Sequence, residues 1–358
     1  MKILAQGVIS RAHAGKLNYN AWPSVITLED GTLLAAWSGE RYRHICPFGR
    51  VLAARSHDGG YTWLPPYTVQ NTPLDDRDAG LCAADGHILL TGFNNSRAQQ
   101  RLYAATKRAE VISDSAWVSG YLDAVTDEEE RRYLGATLAL SHDNGYTFTD
   151  PVVLPITSPH GPCRLPDGTL LFIGRAFSDT SKASFDYLPE GIYAMLLSPK
   201  GEVLKQPWLV VPAAKDLLFC EPHAAVMPDG RILLALRAQR KEPKLFSVYT
   251  CFSCDNGLHF SEPQATGWNG SPPHILVHST GAVVLTYARR TAPYAQIARI
   301  SRDSGQCWSD EIVLREDGPD WDLGYPCTAE NQSGELVTVY YQKVEPVGNQ
   351  ICFTVWRL

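Results

Sequence analysis

Glu221 and Arg237 stand at the two ends of one short stretch, EPHAAVMPDGRILLALR, and Tyr325 opens another, YPCTAE. A carboxylate beside a guanidinium orients a polar group, and a carboxylate beside a phenol can take its proton and make it a nucleophile. Histidines at 44, 160, 223 and 274 titrate in the range that general acid–base work needs, and Asp78 offers a further carboxyl. Arginines close four apolar runs, as Arg41, Arg175, Arg237 and the pair Arg289 and Arg290. Arginine suits sites where a planar anion is gripped by a fork of donors. The chemistry on offer is nucleophilic or acid–base attack on a ligand that carries an anionic group.

The elements that must bring these residues together repeat. The stretch from Glu221 runs extended to Met227, turns at Pro228-Asp229-Gly230 and returns through Ile232 to Leu236. That is a β-hairpin, whose two ends emerge side by side opposite the turn. The same pattern is written six times, over Leu28 to Trp37, Ala83 to Phe93, Leu165 to Arg175, Met227 to Arg237, His278 to Arg289 and Asn331 to Tyr341. A period of about fifty residues means a propeller or a similar array. The predicted fold is all-β, a six-bladed β-propeller forming one domain over 1–358. The run Met1 to Ile9 is expected to supply the last blade's missing strand, which removes an open edge. Strand starts and second-strand ends then share one end of the central axis, with Trp22, Arg41, Asp78, His160, Arg175, Glu221, His223, Arg237, His274, Arg289, Arg290 and Tyr325 among them.

A second repeat, Ser-x-Asp-x-Gly-x-x-aromatic, occurs at Ser56 to Trp63, Ser141 to Phe148, Ser253 to Phe260 and Ser301 to Trp308. It is the Asp-box pattern, and its physics is that of a turn: the carboxylate accepts backbone N–H groups and the glycine takes a left-handed conformation. These aspartates are expected to be structural. The longest insertion, about 95–132 in blade 2, carries the acidic run Asp127 to Glu130. It either lids the central face or is a solvated charged loop. No stretch has helical periodicity of any length.

Composition excludes several classes of function. A formal charge of −6 gives no basic field for a nucleic-acid backbone. The N-terminus lacks the apolar run of a signal peptide, and no stretch approaches eighteen apolar residues, so no membrane partner and a cytoplasmic location are expected. Nine cysteines, an odd number, fit reduced thiols better than a disulfide framework. Cys251-x-x-Cys254 has no second pair, and neither a metal nor a cofactor is expected. The oligomeric state is left open.

Asp boxes and hairpins together resemble the sialidase (neuraminidase) superfamily over essentially the whole chain. The resemblance implies Tyr325 as nucleophile, Glu221 as the carboxylate that assists it, and Arg237 and Arg41 on the anionic group of a substrate. Asp78 resembles the aspartate that starts blade 2. The chain departs from the pattern at Ala21-Trp22-Pro23, where the family has Arg-Ile-Pro, and the third arginine of its triad falls near Tyr294. Arg289 or Arg290 then takes that place. No aspartate lies between Tyr42 and Arg50, where the family keeps its acid/base, which leaves His44 or Asp78 as general acid. The activity implied is hydrolysis of an acidic sugar from a glycan. Two alternatives stay open: a polysaccharide lyase for uronic-acid chains using His160, His223 or His274 with Tyr325, and a carbohydrate-binding propeller without chemistry. In each reading the partner is an acidic oligosaccharide.

Overall fold

The computed structural model describes residues 1–10, 15–106, 112–179, 188–344 and 347–358. Six antiparallel sheets follow one another along the chain as the blades of a propeller. Blade 1 comprises Tyr19–Thr27, Leu33–Arg41, Arg50–Ser56 and Tyr67–Gln70; blades 2, 4 and 5 repeat this inner-to-outer order, and blade 3 does so with its inner strand split into Ile156–Thr157 and Cys163–Arg164. The predicted closure is present. Lys2–Val8 pairs antiparallel with Gly348–Arg357, Lys2 opposite Arg357 and Val8 opposite Cys352, and forms the outer strand of blade 6.

The core is divided in the way the hairpin repeat demands. Successive side chains of a strand face opposite sides of its sheet, so each blade buries both faces against its two neighbours. Six hydrophobic clusters result, one at each blade interface. Trp37, Leu33, Val339 and Tyr341 join blades 6 and 1, for example, and Leu233, Val248, Leu285 and Tyr287 join blades 4 and 5. Each fully buried Leu or Val contributes about 1.5–3 kcal/mol.

The Asp boxes are turns, as expected. Asp58 accepts the Thr62 N–H at 2.9 Å, Asp143 that of Thr147 at 2.9 Å, Asp255 that of His259 at 3.0 Å and Asp303 that of Cys307 at 2.8 Å. Gly60 has φ 97° and a Cβ there would sit 2.8 Å from Val337 of the neighbouring blade, so the position accepts no side chain. Of the Cys-x-x-Cys pair, Cys251 is buried and Cys254 exposed.

The insertion in blade 2 differs from the expectation of a loop. It forms three helices, α1 (Arg97–Thr106), α2 (Ile112–Ala124) and α3 (Asp127–Tyr133). Helix α3 has a capping box, with Thr126 and Glu129 exchanging side-chain and backbone bonds, four acidic residues in its first turn and two arginines in its last. The insertion packs onto the blade 1 loop that carries His44. Phe48 stacks on Trp117 at 4.0 Å and meets Tyr121 edge-on at 5.3 Å, while Val118 and Leu122 are buried beneath. No helix among the described residues is long and apolar enough to cross a membrane.

Candidate active site

Four inner strands begin alike. Trp22, Asp78, Glu221 and Tyr325, on blades 1, 2, 4 and 6, have φ of 55°, 59°, 48° and 49°, and at each the pairing with the second strand slips by a bulge. Left-handed backbone at a non-glycine residue is costly and is held only by surrounding structure, and a bulge re-aims the side chain it carries. Three of the four precede a proline, Pro23, Pro222 or Pro326, which has no N–H to leave orphaned where the ladder is broken. The sequence thus delivers a carboxyl, a carboxylate and a phenol to the same end of the axis.

Two of them touch. The Tyr325 hydroxyl donates to Oε1 of Glu221 at 2.6 Å, and Arg237 donates from Nη1 to Oε2 at 2.6 Å. Nη1 of Arg237 also lies 3.4 Å from the Tyr325 oxygen, and its Nη2 donates to Gln239 at 2.7 Å. Burial alone would raise the Glu221 carboxyl, but Arg237 and the bond from Tyr325 outweigh it and hold Glu221 below the ordinary carboxylate range. Burial and then the charge of Glu221 push the Tyr325 phenol well above the usual tyrosine value. The resting pair is therefore a neutral phenol hydrogen-bonded to an anionic carboxylate. Asp78 is the reverse case: burial drives its carboxyl up to about 7, against the nearby charge of Arg77. Arg290 lies over the Tyr325 ring at 5.4 Å, and its buried Nε and Nη2 have no partner, as has Nε of Arg237. A cavity of about 250 Å³ opens beside this group, lined by Asp78, Asn95, Ser158, Arg175, Glu221 and Arg237 among others.

Residues 133–338 match the profile of the BNR repeat-like domain. The chain belongs to the BNR repeat-like domain family. No curated protein matches it by sequence. Among solved structures, the BNR propeller is similar to a protein of unknown function from Dyadobacter fermentans DSM 18053, with 21% identity and TM-score 0.76 over 100% of this chain and 99% of that one. It is also similar to the Hadza microbial sialidase Hz136, with 16% identity and TM-score 0.65 over 99% of this chain and 68% of that one. The alpha-L-arabinanase of Penicillium chrysogenum, solved with arabinobiose, gives 16% identity and TM-score 0.65 over 100% and 99%. These likenesses establish a shared fold.

The other residues expected at the site divide. Arg175 lines the cavity and pairs with Glu190 at 3.1 Å. Arg41 is not presented to it: the side chain is wholly buried, ion-paired to Asp75 and bonded to Ser38 and to the carbonyls of Asp76 and His44. Arg289 is held on the rim of blade 5 by Glu311 at 2.8 Å, Glu316 and the Pro293 carbonyl. Trp22 is buried under the guanidinium of Arg77, 4.0 Å above its ring, and forms a wall beside Tyr325 rather than a contact surface. His44 is exposed, edge-on to Trp22 at 5.0 Å, with Nδ1 3.4 Å from the Tyr19 hydroxyl. It does not line the cavity. His160, His223 and His274 lie deeper, in a separate cavity on the axis, where burial holds all three in the neutral form.

Several residues at this face were not named as site residues from the sequence. Arg77 covers Trp22 and faces Asp78, and Asp322 accepts from Tyr19 at 3.0 Å and from Tyr341 at 2.8 Å. Asn95, at the entry to the helical insertion, lines the cavity and donates to Asp75 at 2.9 Å.

Proposed function

We propose that this BNR propeller is a glycoside hydrolase that removes an acidic sugar from a glycan. The hydrogen bond between Tyr325 and Glu221 carries the reading. It is the geometry of an activated nucleophile: Glu221, kept ionised by Arg237, takes the phenol proton as Oη forms a bond to the anomeric carbon. The bond from that carbon to the leaving oxygen breaks, and the Asp78 carboxyl, still protonated near neutral pH, gives its proton to that oxygen. The Asp78 carboxylate then takes a proton from water, whose oxygen displaces Tyr325 from the sugar, and Glu221 returns its proton to the phenol. Two displacements retain the anomeric configuration. A phenol nucleophile suits an anionic substrate because it carries less negative charge toward it than a carboxylate would.

The acidic character of the substrate is supported by unpartnered buried N–H groups on Arg237 and Arg290 around the pair, and by Arg175 in the cavity wall. A carbohydrate ligand is supported by the sialidase and the arabinobiose-bound arabinanase that share the fold. The histidine-based lyase loses its support, because its three histidines lie on the axis and not in the cavity that Glu221 lines.

A panel of acidic glycans, followed for reducing sugar and for ultraviolet absorbance, tests the proposal. Reducing sugar released by the wild type and lost in Tyr325→Phe is the expected result. An unsaturated, absorbing product would make it a lyase, and binding without product would leave a carbohydrate-binding module.

A further inference from the structure

Beneath the candidate active site, a second cavity of about 350 Å³ is lined by residues of all six blades, which places it on the propeller axis. Three histidines from three blades converge there. The rings of His160 and His274 are 5.0 Å apart, those of His160 and His223 5.2 Å, and His223 stacks on His274 at 4.2 Å. Ligand atoms of His160, His274 and the buried Cys327 all lie within 4.8 Å of one another.

His160 is the anomaly. It is 1% exposed, and neither ring nitrogen has a hydrogen-bond partner. The Pro273 carbonyl is near enough to pull on its proton but makes no bond of good geometry. An orphaned buried nitrogen costs about 1–3 kcal/mol, so two on one ring call for a partner such as a water or an ion. Its neighbours are better satisfied: His223 accepts the Ile275 N–H at 3.0 Å, His274 accepts that of Thr328 at a longer 3.3 Å, and Cys327 exchanges weak bonds with the Val25 backbone.

We propose that the axis binds a transition-metal ion of the zinc class through His160, His274 and Cys327. Imidazole nitrogen and thiolate sulfur are the donors that zinc-class ions prefer, at about 2.0–2.3 Å. A neutral histidine is the form a metal needs. The three ligands must close in by a fraction of an ångström or more, and the long Thr328 bond to His274 is the one given up. Water completes the coordination. The ion joins the bend at His160 in blade 3 to the inner strands of blades 5 and 6, and Cys327 lies two residues beyond Tyr325, so it braces the strand that carries the phenol.

Chelator-stripped protein titrated with zinc chloride, and separately with cobalt chloride, tests this. The exposed pair His87 and His142, with Nδ1 atoms 3.1 Å apart, can take zinc by itself, so every variant carries His142→Ala. One equivalent of zinc should bind and raise the melting temperature, and cobalt should give a thiolate charge-transfer band in the near ultraviolet. Cys327→Ala should abolish that band, and His160→Ala should weaken zinc at least tenfold. Should either variant fail to fold, the cobalt spectrum of the His142→Ala protein decides alone: no thiolate band overturns the proposal. Full zinc stabilisation in a folded His160→Ala protein overturns it equally.

Discussion

The phenol of Tyr325 donates a 2.6 Å hydrogen bond to Glu221 across a sequence separation of 104 residues. The two residues come from blades 6 and 4, each from a left-handed bulge at the start of an inner strand. The distance is set by the ring of blades and not by a local turn.

Tyr325→Phe removes one oxygen and leaves the ring packed against Trp22 and Tyr341. Turnover on a verified acidic glycan should fall by roughly three orders of magnitude with melting almost unchanged. Glu221→Gln added to it should cost little more, since members of one catalytic unit are not additive. A Phe variant that keeps its turnover would take Tyr325 out of the mechanism.

Asp78 sets a pH dependence. Its carboxyl titrates at about 7, so the general acid is lost, and the rate falls, as pH rises through about 7. Stability follows the same sign, because a carboxyl raised above its unfolded value contributes most below about 4 and loses that contribution up to about 7. Asp76, raised to about 6 by burial, acts alike. Melting curves from pH 5 to 8 should therefore decline less in Asp78→Asn than in the wild type; parallel curves would show that Asp78 is already ionised.

Arg290→Lys keeps a charge over Tyr325 but loses the planar fork with its unpartnered donors. Affinity for an acidic glycan should drop about tenfold or more, roughly 1.4 kcal/mol, with little change for the neutral analogue. Calorimetric titration of both ligands measures the difference, and an equal loss on both would mean that Arg290 only supports the fold.

The Asp boxes govern the acid limit. Asp143, Asp255 and Asp303 are held down to about 2, the first by burial being outweighed by bonds from Thr147 and Ser141, the others led by backbone N–H bonds. Carboxyls lowered in this way stabilise the fold above about 4, and that stabilisation disappears as pH falls toward 2. Replacing Asp143 by Ala should lower the melting temperature at pH 7 and leave it nearly unchanged at pH 2, as differential scanning calorimetry would show.

The hairpins and Asp boxes were legible because each is encoded within a dozen residues, by a turn dipeptide or a carboxylate that satisfies its own backbone. Trp22, Asp78, Glu221 and Tyr325 were legible for the related reason that each opens an inner strand. Arg41 was misplaced because Asp75, which buries it, arrives from the next blade. Arg77 was passed over because it stands among aspartates and reads as part of a charged loop, while its seat on Trp22 depends on how two blades meet. His223 stands two residues beyond Glu221 on one strand and His160 in a bend between two short strands, and sequence alone does not separate the cavity at the face from the one on the axis. Helix α3 did carry a local signal, Thr126 followed by Glu129, within a run too polar to show periodicity.

The seam between Lys2–Val8 and Gly348–Arg357 ties the order of synthesis to the order of folding. Gln6 bonds to Thr354, a separation of 348 residues, so of the four strands of blade 6 the one made first is the one seated last. Blades 1 to 5 can stack as they emerge, because each needs only chain already made. Blade 6 stays one strand short until its third strand has appeared, and for that interval both it and the waiting segment present unpaired N–H and C=O groups to every neighbouring nascent chain. Ring closure is thus a late event that joins segments far apart in sequence, and the strand-exchanged dimer is the misassembly it invites.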